Sequence, residues 1–257
     1  MYSRHRSHSS HQAVVGRRHR SALRPWMAGL VLPVGLVLSA CGDGEGDTTR
    51  DAAVDTTVDT TADAEQLHEA QPPHHRDATQ MSEGSENGVY SELATVQHSA
   101  EVRDTTELDK PECLDASNQW SDLDIVQDAP ASVAAYEWDE GTVSSMLVRL
   151  TEEDVTEALN NRPPESCAEY TATYEDGSSS EYSVRDLDLE VVGDESRAFA
   201  VEVNSGGEES HLLSLIYRNG DLLGTTSVLG NGSVEDYEEM LIGFSEAAVE
   251  RQQDTLG

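Results

Sequence analysis

The sequence predicts an α+β domain built on an antiparallel sheet of about five to seven strands, with flanking helices and one disulfide. Three observations support this prediction. Short segments of alternating apolar residues follow one another between residues 133 and 228, turn dipeptides such as Asn219-Gly220 separate them, and helix-start motifs flank them. In front of this domain the sequence predicts a signal peptide and a disordered acidic linker.

The first 40 residues have the composition of an export signal. They contain six arginines and no acidic residue, and Trp26–Leu38 is almost wholly apolar. This apolar run is about a dozen residues long, whereas a membrane-spanning helix needs roughly 20. Residues 1–40 are therefore predicted to be a signal peptide that is removed. Arg17-Arg18 leaves the export route open between the general and the twin-arginine pathways.

The signal ends in Leu38-Ser39-Ala40-Cys41. This tetrapeptide resembles the lipobox of bacterial lipoproteins, in which the cysteine sulfur takes a diacylglyceryl group and becomes the first residue of the mature protein. The resemblance implies cleavage between Ala40 and Cys41, acylation of Cys41 with palmitate-type chains, and attachment to the extracytoplasmic face of the cell membrane. The alternative is an ordinary secretory signal followed by an unrelated cysteine.

The mature chain is strongly acidic. The whole sequence has 16 basic and 50 acidic residues, and removal of the six leader arginines leaves a formal charge of −40. Such a chain repels the phosphates of nucleic acids, so we expect no nucleic-acid partner. It attracts cations or a basic protein, and its composition is also that expected of a protein from a salty environment.

Two cysteines remain once Cys41 is assigned to lipid. An even pair in an exported chain predicts a disulfide between Cys113 and Cys167. It would close a loop of 54 residues and stabilise the fold by roughly 3–4 kcal/mol. Free-thiol chemistry is the alternative, but it favours a basic neighbourhood, and both cysteines are flanked by acidic residues.

Residues 41–87 are predicted to be the lipidated cysteine and a disordered linker. Apolar residues are too sparse there to offset the entropy of ordering the backbone. His68, His74 and His75 lie in this tract without the spacing of a defined ligand set, so we predict no metal site.

Residues 88–257 are predicted to be the folded domain. It begins with a short helix around Tyr90–Val102 and a second helix at Glu107–Ser117. Two strands and a helix that starts at Thr151 and ends near Asn161 follow. The later elements are five strands and a final helix that begins at Ser233: Glu169–Tyr174, Tyr182–Val191, Arg197–Asn204, His211–Tyr217 and Leu222–Val228, then a helix with Tyr237, Leu241, Phe244 and Val249 on one side.

The order of these segments resembles a known family. A lipobox, an acidic tether, a Pro-x-Cys helix start, a second cysteine after a helix, an Arg-Asn-Gly-Asp turn at 218–221 and a closing helix with Ala-Ala-Val-Glu-Arg-Gln occur in sequence. The order is similar to the extracytoplasmic sensor domain of actinobacterial PknH-type kinases, over roughly residues 88–252. The resemblance implies a non-enzymatic domain with a ligand-binding cleft, and it transfers no functional residue.

Candidate site residues come from two small groups. Trp120, Tyr136 and Trp138 are scarce aromatics and the candidate lining of a ligand cleft; the alternative is ordinary core packing. Asp186, Asp188 and Glu190 alternate along a predicted strand, so their carboxylates would share one face. That arrangement suits a solvated surface, a divalent cation or an acid–base pair.

The sequence favours a non-catalytic function. It contains no Gly-x-Ser-x-Gly, His-Glu-x-x-His or phosphate-binding loop motif, so we predict no enzyme activity and no cofactor. The preferred function is a membrane-anchored, sensor-like lipoprotein that binds an unidentified ligand. The alternatives are a cell-wall glycan hydrolase with dispersed carboxylates and an acidic protein that binds a basic partner. Candidate partners are the bilayer through Cys41, cell-wall polymer, a small molecule or a basic protein.

Overall fold

A computed structural model describes residues 60–114 and 119–257. Residues 1–59 lie outside the described part, so the predicted signal peptide, the lipidation of Cys41 and the first part of the linker are not tested by it. The helices are α1 (Thr60–Glu69), α2 (Ala94–Asp104), α3 (Asp124–Gln127), α4 (Glu152–Asn160) and α5 (Val234–Leu256). Among the described residues, no helix has both the length and the apolar character needed to cross a bilayer.

The strands form a single antiparallel sheet with the order β1-β2-β4-β5-β10-β9-β8-β7-β6-β3. Their bounds are β1 (His74–His75), β2 (Ala78–Val89), β3 (Glu107–Leu108), β4 (Pro130–Trp138), β5 (Gly141–Arg149), β6 (Glu169–Thr173), β7 (Ser179–Leu187), β8 (Glu195–Ser205), β9 (Glu208–Asn219) and β10 (Leu222–Gly230).

The predicted sheet of five to seven strands is therefore wrong, because the described part of the chain contains ten strands. β1 and β3 have two residues each, too few to show an alternating pattern. β3 also replaces the start of the helix predicted at Glu107–Ser117, where Pro111 instead opens a short 3-10 turn that ends at Cys113. β2 was missed because its sequence is polar and interrupted by Gly84.

The predicted linker is wrong from Thr60 onward, since residues 60–87 fold into α1, β1 and most of β2. The apolar residues of α1 are few, but the helix places Ala64 and Leu67 on one side, where both are fully buried. α1 packs against β2 and β4. A few well-placed apolar residues thus hold a segment whose average composition predicts disorder.

We call one side of the sheet the closed face; it carries Leu215 and Tyr217 and is covered by α1 and α5. α5 starts at Ser233, whose side chain accepts a hydrogen bond from the Asp236 N–H. The four α5 residues predicted to face the sheet are buried there: Tyr237, Leu241, Phe244 and Val249.

We call the opposite side the cavity face. Neighbouring strand residues alternate between the two sides, so Ile216 and Leu223 belong to a second core. α4 covers part of this face with Val155, Ala158 and Leu159. The 3-10 turn at Gln119–Asp122 covers another part with Trp120. Both elements are much shorter than α5, the main cover of the closed face.

The disulfide between Cys113 and Cys167 is present, with a Cα–Cα distance of 5.3 Å. Both cysteines are buried, and Leu108 and Tyr170 pack against them. The bridge links the turn after β3 to the turn before β6, at one end of the sheet. It therefore fixes the short edge strand β3 to the rest of the domain.

Candidate ligand cavity

The three aromatic residues proposed for one cleft lie on different faces of the sheet. Tyr136 is fully buried on the closed face, where its hydroxyl donates to the Pro72 carbonyl at 2.8 Å. Trp138 packs against Tyr237 on the same face, with ring centroids 5.6 Å apart. Trp120 belongs to the core of the cavity face. Tyr136 and Trp138 thus pack in the core of the closed face. Of the three aromatic residues, Trp120 is the one that lines a cavity, and this cavity is on the opposite face.

The cavity beside Trp120, which we call the Trp120 cavity, has a volume of about 230 Å³. Its apolar wall consists of Trp120, Val133, Met146 and Leu212. The polar part of its lining comes from hydroxyl-bearing side chains: Thr95, Ser144, Ser214, Thr225 and Ser227. A mostly apolar pocket with a few polar groups is the usual form of a small-molecule site.

The sheet register brings together the serine hydroxyls that line the cavity. Ser227 of β10 lies opposite Ser144 of β5 on one side and Ser214 of β9 on the other. Directly paired residues of antiparallel strands point to the same face. The Ser214 and Ser227 hydroxyl oxygens are 2.7 Å apart and hydrogen-bond to each other. These serines are far apart in sequence, and periodicity alone gives no signal that they meet.

Two residues that line the cavity each carry a buried polar atom without a hydrogen-bond partner among the described residues. These atoms are Nε1 of Trp120 and Oγ1 of Thr225. Trp120 is 1% exposed, and Tyr90 holds its ring at a centroid distance of 5.7 Å. An unpaired buried donor costs about 1–3 kcal/mol. A ligand that accepts a hydrogen bond from the indole would remove that cost.

A bulge in β2 positions another wall of the cavity. The pairing between β2 and β4 shifts between Met81 and Glu86. After the bulge, the Glu86 carboxylate accepts hydrogen bonds from the Ala94 and Thr95 N–H groups, each at 2.7 Å. This places a carboxylate at the start of α2, where the helix dipole favours negative charge. Glu86 thereby fixes α2, and with it Thr95, beside the cavity.

The three carboxylates predicted on one strand face are not arranged that way. β7 ends at Leu187, so Asp188 and Glu190 lie in the loop that precedes β8, and both are exposed. Asp186 remains on β7 and pairs with Arg162 at 3.2 Å. Within residues 60–114 and 119–257, no group of three or more His, Cys, Asp or Glu side chains is arranged to hold a metal ion.

Known proteins resemble this chain in fold rather than in sequence. No family model matches the sequence, and no curated protein matches it. Among solved structures, the fold is similar to the extracellular domain of PknH from Mycobacterium tuberculosis. The TM-score is 0.37 at 10% sequence identity, over 56% of this chain and 78% of that chain. The match involves the kinase type that the order of segments resembles, but a likeness this weak transfers neither ligand nor activity.

Proposed function

We propose that this protein is an extracytoplasmic lipoprotein, anchored through Cys41, whose domain binds a small ligand in the Trp120 cavity without transforming it. The lipobox residues Leu38–Cys41 support the anchor. The Cys113–Cys167 disulfide fits an oxidising compartment. The observation that supports binding most strongly is the unpaired indole N–H of Trp120, a residue that lines a mostly apolar cavity.

The cavity chemistry defines the ligand class. Met146, Leu212 and Val133 offer an apolar wall, so the body of the ligand is apolar. Indole Nε1–H is a donor only, so the ligand carries an acceptor such as a carbonyl or an ether oxygen. A carbonyl oxygen has two lone pairs, so the Thr225 hydroxyl can donate to the same oxygen. The volume of about 230 Å³ limits the buried part to a small ring or a short chain.

A matched pair of small molecules and a matched pair of variants test binding. Cyclohexanone carries a carbonyl acceptor, and methylenecyclohexane has nearly the same shape without one. In the chain carrying Cys41→Ser, we expect cyclohexanone to shift the Trp120 indole N–H resonance more strongly than methylenecyclohexane does. A Trp120→Phe variant identifies the signal.

Thr225 and Thr226 are adjacent on β10 and point to opposite faces, which supplies the control. Thr225→Val removes a hydroxyl from the cavity, and Thr226→Val removes one from the closed face. We expect Thr225→Val to weaken cyclohexanone binding by about fivefold, the effect of one hydrogen bond. Thr226→Val should leave it unchanged. An indole resonance that no acceptor shifts, or equal effects of the two variants, would contradict the proposed site.

The anchor has its own test. Metabolic labelling with a fatty-acid analogue should tag the wild-type chain, and Cys41→Ser should abolish the tag and move the protein out of the membrane fraction. Cys113→Ser, which changes a cysteine of the folded domain, is the control and should retain the tag. A membrane fraction unchanged by Cys41→Ser would contradict anchoring through this residue.

A second candidate function is binding of a basic partner protein through the far end of the sheet. There β6, β7 and β8 carry three exposed glutamates on the closed face, and these line one solvent-open pocket: Glu169, Glu181 and Glu202. Lys110 lies beside them, but its ammonium already donates to the Ser166 and Glu169 carbonyls. Binding through this surface should weaken steeply as salt rises. It should also weaken in Glu181→Gln, but not in Glu238→Gln on α5.

A further inference from the structure

Arg197 differs from the other half-buried arginines of the domain. Arg103, Arg149 and Arg218 each have a carboxylate within 4 Å. Among the described residues, Arg197 has none. Its guanidinium donates from Nε to the Leu159 carbonyl at 2.8 Å and from Nη2 to the Asn161 carbonyl at 3.0 Å. These two bonds satisfy the carbonyl end of α4 and lock the side chain in place.

The remaining nitrogen, Nη1, has no partner within the described part of the chain, so Arg197 keeps one donor edge available. Burial, and after it the charge of Arg162, lowers the pKa of Arg197 to about 10, while Asp186 opposes this shift. The group is still protonated at neutral pH. Its positive charge is thus held in place and incompletely neutralised, which favours an anionic group beside it.

A cavity of about 300 Å³, which we call the Arg197 cavity, lies at this guanidinium. It is on the cavity face, between β7, β8 and the segment that follows α4. Its apolar wall includes Val184, Phe199 and Pro163. The Arg197 guanidinium carbon lies 5.9 Å from the centre of the Phe199 ring, so a cation–π interaction stabilises the guanidinium.

The charges around this cavity are balanced in sign. Arg162 and Arg197 contribute two cations, and Glu165 and Asp186 contribute two carboxylates. Asp186 pairs with Arg162 at 3.2 Å, and both side chains are more than half exposed, so this pair exchanges readily with solvent. A polyanion such as phosphate would meet the two carboxylates at close range and be repelled. A ligand with one carboxylate and one ammonium would match both signs.

We propose that the Arg197 cavity binds a small zwitterion with an apolar side chain, such as a free aliphatic amino acid. Its carboxylate accepts from Arg197 Nη1 and from Arg162. Its ammonium pairs with the Asp186 carboxylate that this exchange releases, or with Glu165. Its side chain packs against Phe199 and Val184. This site is separate from the Trp120 cavity, and neither proposal depends on the other.

Four probes separate the contributions, each titrated into the chain carrying Cys41→Ser and followed by NMR of the Arg197 and Phe199 resonances. L-valine carries both charges, 3-methylbutyrate lacks the ammonium, isobutylamine lacks the carboxylate, and inorganic phosphate is a polyanion. We expect L-valine to bind most tightly, 3-methylbutyrate about tenfold more weakly, and isobutylamine and phosphate more weakly still.

The variants test which residues hold the carboxylate. Arg162→Gln should weaken L-valine binding by about tenfold, as expected for the loss of one charged hydrogen-bonding partner. Arg197→Lys keeps the charge but loses the planar donor fork, and should weaken binding by a similar factor. Arg76→Gln is the matched control: it removes one arginine from an exposed ion pair with Glu239 elsewhere on the domain, and should have no effect.

Several outcomes would overturn the proposal. One is the absence of L-valine binding at millimolar concentrations. Another is phosphate binding as tightly as L-valine, which would make this a general anion site. Equal weakening by Arg162→Gln and Arg76→Gln would show that only the net charge of the protein matters. Arg197→Lys also removes hydrogen bonds to α4, so the thermal unfolding of this variant is measured as well. If Arg197→Lys does not fold, the result for Arg162→Gln alone decides.

Discussion

The two faces of the sheet are built from similar strands but are filled differently. On the closed face, α5 packs Phe244, Tyr237 and Met240 onto the sheet, and all three have at most 1% of their surface exposed. On the cavity face, the cover is a set of short helices and turns, and open space remains beside Trp120. A long amphipathic helix can fill a sheet surface without gaps, whereas short segments leave room for a ligand.

The buried aromatic side chains with a polar group also differ between the two faces. The tyrosine hydroxyls of the closed face all have partners: Tyr136 donates to Pro72, Tyr237 donates to the Glu140 carbonyl, and Gln252 donates to Tyr217. On the cavity face, the Trp120 indole N–H has none within the described residues. The buried tyrosine hydroxyls of the closed face are thus paired by the fold, whereas the Trp120 indole N–H of the cavity face is left unpaired in the described part of the chain.

The strongest way to break the closed face is Phe244→Ala. Phe244 is fully buried and contacts Tyr136, with ring centroids 4.7 Å apart. We expect the free energy of unfolding, measured by urea denaturation, to fall by about 3–5 kcal/mol. Met146→Ala at the wall of the Trp120 cavity is the matched change on the other face. Met146→Ala should lower the free energy of unfolding by less than half as much, because Met146 is only partly buried. Equal losses would mean that the faces are packed alike.

Alkaline pH should also lower the free energy of unfolding, because the closed face contains buried tyrosines. Burial raises the pKa of Tyr136 and Tyr217 well above the ordinary value of 10.0. A tyrosine with a raised folded-state pKa contributes stability that is complete below the unfolded pKa and is lost as pH rises toward the folded pKa. Above pH 10, we expect each tyrosine to lower the free energy of unfolding by about 1.4 kcal/mol per pH unit.

Urea denaturation at a series of alkaline pH values measures this loss. Tyr136→Phe removes one of the two titrating groups, so its stability should fall less steeply with pH than that of the parent chain. Identical slopes for the two proteins would show that the closed face opens before its tyrosines ionise.

The smallest expected effect is the difference in stability between two variants that each remove one of two neighbouring hydroxyls, Thr226→Val and Thr225→Val. Thr226 is fully buried on the closed face, and its Oγ1 has no partner among the described residues. Replacing it with valine keeps the shape and removes the unpaired group, so thermal unfolding should show a stabilisation of about 1 kcal/mol. Thr225→Val on the cavity face should stabilise less, because Thr225 is only partly buried. A destabilised Thr226→Val variant would indicate that an ordered water occupies the closed face.

Periodicity in the sequence predicted the central part of the fold. The seven strands from β4 to β10 and the helices α4 and α5 correspond to predicted segments, because their apolar residues recur at regular intervals. β1, β2 and β3 carry no such pattern. Ala64 and Leu67 were hidden by the acidic composition around them, since an average over a segment does not show which residues share one side.

The candidate sites were predictable only in part. Trp120 stood out as a rare aromatic residue, but Tyr136 and Trp138 stood out equally, and both fill the core. The alternation of β4 shows that these two share one side of their strand. It does not show which side Trp120, on a separate turn, will cover. Ser144, Ser214 and Ser227 gave no signal, because serine is common and these residues meet only through strand pairing.

The sequence by itself determined the properties that depend on local order and composition. These are the lipobox-like tetrapeptide Leu38–Cys41, the acidic charge, the pairing of Cys113 with Cys167 and the segments with regular apolar spacing. Tertiary structure decided the strand order, the folding of residues 60–87 and the two cavities. The physical reason is that a cavity depends on which distant side chains become neighbours, and register and helix placement set those distances.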